Sequence, residues 1–225
     1  SKPDLSKCQF EDSIKSLSVN KLQLTPTTIN KDHFCNIKKL FDVSFESDPH
    51  SNIQISKIPD QLFFDCLIGT LTLSEEISAI GFASFCNCKI NEIKFHPKSK
   101  LTEIGSYAFY YAKIISTLQF PRSIHNIGNY SFAYSTLPSS SITLPDSVVS
   151  IGNSAFVGCK GLKEIIVSSG NQHYKSVEGI LFTKDGKKLI QYPSGRRGTS
   201  YVVPDCVTSI GNYAFYECSS FSSIT

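Results

Sequence analysis

The sequence predicts a parallel solenoid, mostly β, in which short, similar coils stack along one axis. Three observations carry that prediction. An isoleucine followed five residues later by a phenylalanine recurs as Ile29/Phe34, Ile58/Phe63, Ile80/Phe85, Ile104/Phe109, Ile127/Phe132, Ile151/Phe156 and Ile210/Phe215. The starts from Ile58 to Ile151 are 22, 24, 23 and 24 residues apart. Eight to ten residues after each of the first six phenylalanines comes an apolar-x-apolar triplet, the pattern of a short strand with one buried face. A unit of this size cannot bury its apolar face alone, and a fixed period of this length is the mark of a repeat array.

Residues 1–54 hold the least regular copies. Leu5/Phe10 reads as a degenerate first copy, and Ile29-Asn30 stands where isoleucine-glycine would be. The departures fit either a capping end, which needs a more polar outer face, or plain divergence. Residues 55–169 are the regular part. There IGFASF, IGSYAF, IGNYSF and IGNSAF share a glycine after the isoleucine and a small residue before the phenylalanine, and an aliphatic residue lies three positions before each isoleucine. The triplets, such as Leu71 and Leu73 or Ile93 and Phe95, would pair coil to coil about 4.8 Å apart. Gly81, Gly105, Gly128, Gly152 and Gly211 are expected to permit a tight bend, with the phenylalanines stacked as an internal ladder.

The step from Ile151 to Ile210 is 59 residues, so something is inserted. Within residues 170–199, GILFT and KKLIQYP flank Lys184-Asp185-Gly186, and Asp-Gly between apolar runs predicts a β-hairpin. In residues 200–225, YVVPDCVTSIG runs parallel to SITLPDSVVSIG, so a repeat resumes with a strand containing Tyr201 and Val203. That repeat is cut short at Thr225. Together with the missing initiator methionine, this leads us to expect a chain cut from a longer protein.

Composition narrows the function classes. A net charge of +3 from 22 basic and 19 acidic residues, mixed along the chain, gives no nucleic-acid footprint. No run approaches the roughly 18 apolar residues a spanning helix needs. The first residues, SKPDLSKCQF, lack the apolar stretch of a signal peptide. The five histidines show no metal-ligand spacing, and no nucleophile elbow, phosphate loop or dinucleotide fingerprint occurs, so neither a cofactor nor an enzyme activity is expected. Cys66, Cys88, Cys159 and Cys218 all lie three residues after a repeat phenylalanine and read as core. Cys66 and Cys88 fall in successive coils, with both thiols expected to point inward and not at each other. The cysteine pattern leaves the redox compartment open.

The consensus I-G-x-x-A-F-x-x-C-x-x-L-x-x-I-x-[IL]-P-[DS]-S-V resembles the BspA-like leucine-rich repeats, well over residues 55–225 and poorly over 1–54. The stretch GNQHYKSVEGILFTKDGKKLIQYPSGRRG is similar to the insertion that family often carries between repeats. The resemblance implies a leucine-rich-repeat solenoid, a right-handed parallel β superhelix with short 3-10 or helical turns. Its extent would be about eight coils of 22–24 residues plus the hairpin. It also implies a bacterial or protist surface protein, with adhesion to host cells and to extracellular-matrix proteins such as fibronectin. The alternative is a cytoplasmic scaffold of the same fold recruiting a cellular protein.

Three surfaces are candidates for the partner. In an apolar-x-apolar strand the middle residue points outward, which aligns Ser18, Ser44, Thr72, Lys94, Gln119, Thr143, Ile166 and Val202 in one column of the sheet face. The column is polar and lacks aromatic or arginine anchors, so it fits a protein contact or simple solvation. The second candidate is the tyrosine group on the turn side. Tyr107, Tyr130 and Tyr213 share the position two before the phenylalanine, and Tyr110, Tyr111, Tyr134 and Tyr216 lie nearby. These tyrosines would form either a contact surface or packing between coils. The third is a basic projection of Lys184, Lys187, Lys188, Arg196 and Arg197 on the insertion, suited to acidic glycans or a membrane surface, or merely guarding a hairpin tip. The strand edge at Ser223-Ile224-Thr225 predicts weak end-to-end self-association.

Overall fold

The computed structural model describes residues 18–24, 34–35, 39–45, 55–219 and 221–225. Leu5/Phe10 and Ile29-Asn30 lie outside these. The long strands Ser18–Leu24, Lys39–Phe45, Leu67–Leu73 and Lys89–Phe95, followed by the two-residue strand Lys113–Ile114, form one parallel sheet in that order. Ser141–Leu144 and Glu164–Val167 form a separate parallel pair. On another side of the coil, the isoleucine-glycine positions form a second parallel sheet from Lys57–Ile58 to Ser150–Ile151. The sequence period is also the spatial register: Thr72 pairs with Lys94, and Ile80, Ile104, Ile127 and Ile151 follow one another.

The described residues contain no helix. The corner at the phenylalanine is a short parallel sheet in the first coils, Phe34–Cys35, Phe63–Phe64 and Phe85–Cys86, and from Gly105 to Ser135 a chain of single turns. Ala108 N–H reaches Gly105 O, Tyr110 N–H reaches Tyr107 O, and Ala112 N–H reaches Phe109 O, at 3.0–3.3 Å. The alternate amides leave the coil: those of Tyr107, Phe109 and Tyr111 donate to Asn129, Ser131 and Ala133 of the next coil at 2.9, 2.7 and 3.0 Å. Every amide from Tyr107 to Ala112 is thereby satisfied inside the protein, as burial requires.

Phe34, Phe63, Phe85, Phe109, Phe132 and Phe156 stack with centroids 5.1–5.7 Å apart and planes within 21°. That distance is the coil spacing with a small lateral offset, an arrangement the ring quadrupoles favour. The glycines behave differently from the sequence expectation. Gly81, Gly105, Gly128 and Gly152 do not adopt positive φ, and the left-handed position falls two residues later, at Ala83, Tyr107, Tyr130 and Ser154. Glycine is required because the preceding coil is too close: a Cβ at Gly128 would lie 2.5 Å from Ser106 N.

A second ladder explains the cysteines. The thiols of Cys66, Cys88 and Cys159 donate to the carbonyls of Phe34, Phe63 and Phe132 one coil back, at 3.3, 3.8 and 3.0 Å. Ser135, at the same repeat position, donates to Phe109 O at 2.6 Å. The position selects a small donor for a buried carbonyl, which either residue supplies. Cys66 and Cys88 are both buried and form no disulfide, and each thiol turns to a phenylalanine carbonyl of the coil before it.

The insertion contains two hairpins. Tyr174–Val177 pairs antiparallel with Ile180–Thr183 through Glu178 and Gly179, both at positive φ. Ile180–Thr183 then pairs antiparallel with Lys188–Gln191. At the second turn, Asp185 accepts from Thr183 Oγ1 at 2.6 Å and from Lys187 N–H at 3.0 Å; these bonds hold its carboxyl below the usual range. Lys188–Gln191 runs parallel to Ser209–Ile210, with Leu189 opposite Ile210. Gly211 N–H donates to Leu189 O at 2.7 Å, as Gly128 does to Ile104 O. Tyr192 stacks on Phe215 at 5.5 Å and donates its N–H to Ala214 O. The insertion therefore ends in a disguised coil in which Leu189 and Tyr192 play the isoleucine and phenylalanine, three residues apart instead of five.

The core divides at this point. Leu181 joins the main apolar cluster, while Ile180, Phe182, Leu189, Tyr192 and Ala214 centre a smaller one. The resumed strand Ser200–Tyr201 pairs with Ser223–Ile224.

Candidate functional site

Each long strand turns its apolar residues inward and leaves the middle of the triplet outside. Thr72, Lys94, Gln119, Thr143, Ile166 and Val202 are exposed, and Ser44 is half-buried. Ser44, Thr72 and Lys94 sit side by side, as do Thr143 and Ile166. Ser18 does not belong to the column, since Gln23 is the register partner of Ser44. The local sequence offers two triplets, Leu17-Ser18-Val19 and Leu22-Gln23-Leu24, and the second pairs with Val43-Ser44-Phe45. Val202 is separated from Ile166 by the inserted hairpins, so the column is not continuous to its end.

The column also breaks at Gln119. In the two preceding coils two residues separate the buried positions, Ile68 from Leu71 and Ile90 from Ile93, whereas Ile114 and Leu118 are separated by three. The extra residue acts like a bulge. Ladder bonds to the previous coil end at Ser116 N–H to Asn91 O, and Thr117–Phe120 forms no strand. A cleft of about 470 Å³ opens on one side of this segment, and one of about 390 Å³ on the other. Thr117, Gln119, Phe120 and Arg122 line both, with His96 and Ser123 in the first and Ser141 and Thr143 in the second. No carboxylate lines either cleft. The sequence reading missed Arg122 because it lies outside the triplet; the one-residue excess in spacing was the available signal.

The tyrosine group is both packed and exposed. Tyr107 stacks on Tyr130 at 5.1 Å and Tyr111 on Tyr134 at 4.8 Å, with Tyr110 edge-on to Tyr107, Tyr111 and Tyr134. Tyr213 and Tyr216 join from beyond the insertion, Tyr216 edge-on to Tyr134. Burial, followed by a hydrogen bond with Tyr216, pushes the Tyr134 phenol well above its ordinary range. Tyr107 and Tyr110 are also raised, chiefly by burial.

The basic residues do not converge. Lys187 and Lys188 stand at the start of the strand Lys188–Gln191, whereas Arg196 and Arg197 follow its far end. Arg196 turns back to the Glu178 carbonyl and carboxylate and lies over the Tyr192 ring at 5.9 Å. Lys184 donates to Asn171 O. Among the described residues no three histidine, cysteine or acidic side chains are grouped to hold a metal ion. Burial raises the Cys159 thiol to about 12 and Cys88 well above its usual value, which suppresses the nucleophilic thiolate in both. No described helix is long and apolar enough to cross a membrane.

The sequence matches the family described as BspA type leucine rich repeat region in 6 copies, over residues 56–183 and 194–225. The fold is similar to a leucine-rich repeat protein from Eubacterium ventriosum, with TM-score 0.70 and 24% identity over 81% of this chain and 49% of that one. It is also similar to the pneumococcal vaccine antigen PcpA, with TM-score 0.61 and 24% identity over 96% of this chain and 56% of that one. A leucine-rich repeat protein of T. pallidum matches with TM-score 0.50 and 21% identity over 81% and 68% of the two chains. The chain thus spans about half the length of the first two structures. No curated protein matches the sequence.

Proposed function

This chain belongs to the BspA-type leucine-rich-repeat family, and on that premise we propose that it is a non-enzymatic protein-binding module, displayed at a cell surface and directed at a host-cell or extracellular-matrix protein. Support for surface display comes from the family resemblance and from the vaccine antigen that shares the fold.

The observation that carries the binding surface is the break in the sheet face at Gln119. The face on either side is flat and hydroxyl-rich, a surface that water solvates as readily as a partner does. The break supplies relief at its middle: two clefts, an apolar wall in Phe120, and the exposed Arg122 guanidinium between them with no lining carboxylate. Arginine and aromatic groups in central pockets dominate binding energy at protein interfaces. An acidic side chain of the partner, placed against the Arg122 guanidinium, fits this arrangement.

The test is binding of the purified chain to immobilised fibronectin and to intact host cells. Changing Thr72, Gln119 and Thr143 together to glutamate should weaken binding by repelling the acidic group, and Arg122→Glu alone should weaken it roughly thirtyfold, the loss of one anchor worth about 2 kcal/mol. Binding that survives both variants rules out the sheet face. No binding by the parent chain moves the reading to a cytoplasmic scaffold with a cellular partner.

A further inference from the structure

The structure assigns the tyrosine corner as a second binding site, a cleft that takes a proline-rich segment of a partner protein in its extended left-handed form. It lies on the turn side of the coil, apart from the sheet face, and either site can fail without the other.

Seven of the chain's ten tyrosines gather at this corner. Five of them, Tyr107, Tyr111, Tyr130, Tyr134 and Tyr213, occupy left-handed backbone positions, φ 53–60°. A bulky side chain is disfavoured there, and such strain persists where the side chain serves a purpose. The backbone itself does not ask for tyrosine: the same two positions in other coils hold Gln61, Ala83, Asn87, Ser154 and Gly158. The tyrosines are therefore placed for their rings.

The cleft exists because the ring columns are interrupted. In the coil at 154–158, Ser154 and Gly158 stand where the two preceding coils carry tyrosine, and Val157 forms an apolar floor. Tyr130 and Tyr134 wall one side, Tyr213 and Tyr216 the other, enclosing about 390 Å³. Tyr134 leans over Gly158 so closely that a Cβ there would lie 2.4 Å from its ring. The disguised coil is two residues short before Tyr192, and the later tyrosines close down on this one: Ser154 Oγ bonds Asn212 O at 3.2 Å.

The chemistry of the lining selects the ligand. Six tyrosines and one valine line the cleft, with no charge, no side-chain amide and no carboxylate. The corner amides of Tyr130, Phe132 and Tyr134 are spent on the next coil. What remains is ring surface and phenol O–H donors, apart from the one spent between Tyr134 and Tyr216. A polyproline segment offers the complement: apolar rings, exposed carbonyls that need donors, and no N–H that needs an acceptor. Aromatic-lined grooves elsewhere bind this helix, whose preset shape lowers the entropy of capture. A neutral oligosaccharide carries many hydroxyl donors, and the cleft offers them no carboxylate or amide acceptor.

The chain has no tryptophan, so its intrinsic fluorescence reports mainly this corner. Titration with a capped decaproline peptide should give a saturable change, and maltoheptaose should give none. Tyr213→Asn and Tyr134→Asn keep a residue that the left-handed turn accepts, as Asn87 shows, and each should weaken the peptide at least tenfold without lowering the melting temperature. Tyr213→Phe, which keeps the ring and removes the hydroxyl, should weaken it several-fold and serves if an asparagine variant melts early. The glutamate triple variant of the sheet face should bind the peptide as the parent does. Absence of a saturable response, saturation by maltoheptaose in its place, or unchanged affinity in folded Tyr134→Asn and Tyr213→Phe would overturn the assignment.

Discussion

At the scale of the residue, the repeat consensus is a set of small demands made by the neighbouring coil. The position three after the phenylalanine demands a compact donor for the carbonyl behind it, and both cysteine and serine satisfy it. Cys159→Ser should therefore cost little, while Cys159→Ala, which leaves Phe132 O without that donor, should cost about 1–2 kcal/mol in urea unfolding. Equal losses in the two variants would mean the position is governed by volume alone. The sequence showed that cysteine recurs here but not why, because the acceptor belongs to a residue 27 positions away. The tyrosines allow a second prediction. Folding raises the pKa of Tyr107, Tyr110 and Tyr134, so the native state holds its phenolic protons more tightly than the unfolded chain. Their contribution is complete below the unfolded value near 10 and is lost as pH rises through the folded values. Melting temperature should fall above about pH 10 in the parent, and fall less steeply in Tyr134→Asn.

At the scale of the element, most of the coil was legible and its corners were not. The alternation in Leu71-Thr72-Leu73 and Ile93-Lys94-Phe95 located the strands, and their periodic spacing set the register. The glycine after the isoleucine was equally plain, but its reason lies in the distance to another coil and not in its own φ. Gly128→Ala should accordingly destabilise by about 1–3 kcal/mol through a clash with Ser106 N, more than its backbone conformation alone would suggest. A neutral outcome in thermal melts would mean that the coils can part at that point. Asp185-Gly186 marked one hairpin, whereas Glu178-Gly179 and the disguised coil from Leu189 to Tyr192 escaped notice. The hairpin hides because a glutamate holds the left-handed position where Asn or Asp would signal the turn, and the coil hides because its spacing departs from five, since periodicity is blind to a coil that keeps the contacts while changing the count. The same limit concealed the break at Thr117–Phe120, where one added residue converts a strand into the relief that the sheet face otherwise lacks.

At the scale of the whole molecule, each coil meets only its neighbours, so stability is a sum of local terms. The division of the core at Leu181 and Phe182 marks the weakest joint. Amide exchange should show the segment from Leu189 to Phe215 opening before the coils from Ile58 to Phe156, and uniform protection across both would contradict a divided core. The corner turns add a property of the stack as a whole. Their coil-to-coil amides aim the same way: Gln61, Tyr107 and Tyr130 each send their N–H toward the later coil. An α-helix aligns its N–H groups toward its own N-terminus. This column aligns them toward the C-terminal side, so it carries an electrical polarity of the opposite sense. A surface that continues the column on that side must offer carbonyls, and one that continues it on the other must offer amides. Two copies meeting through the same end would set like against like, and a corner of this kind extends only head to tail, excluding two-fold symmetry across it.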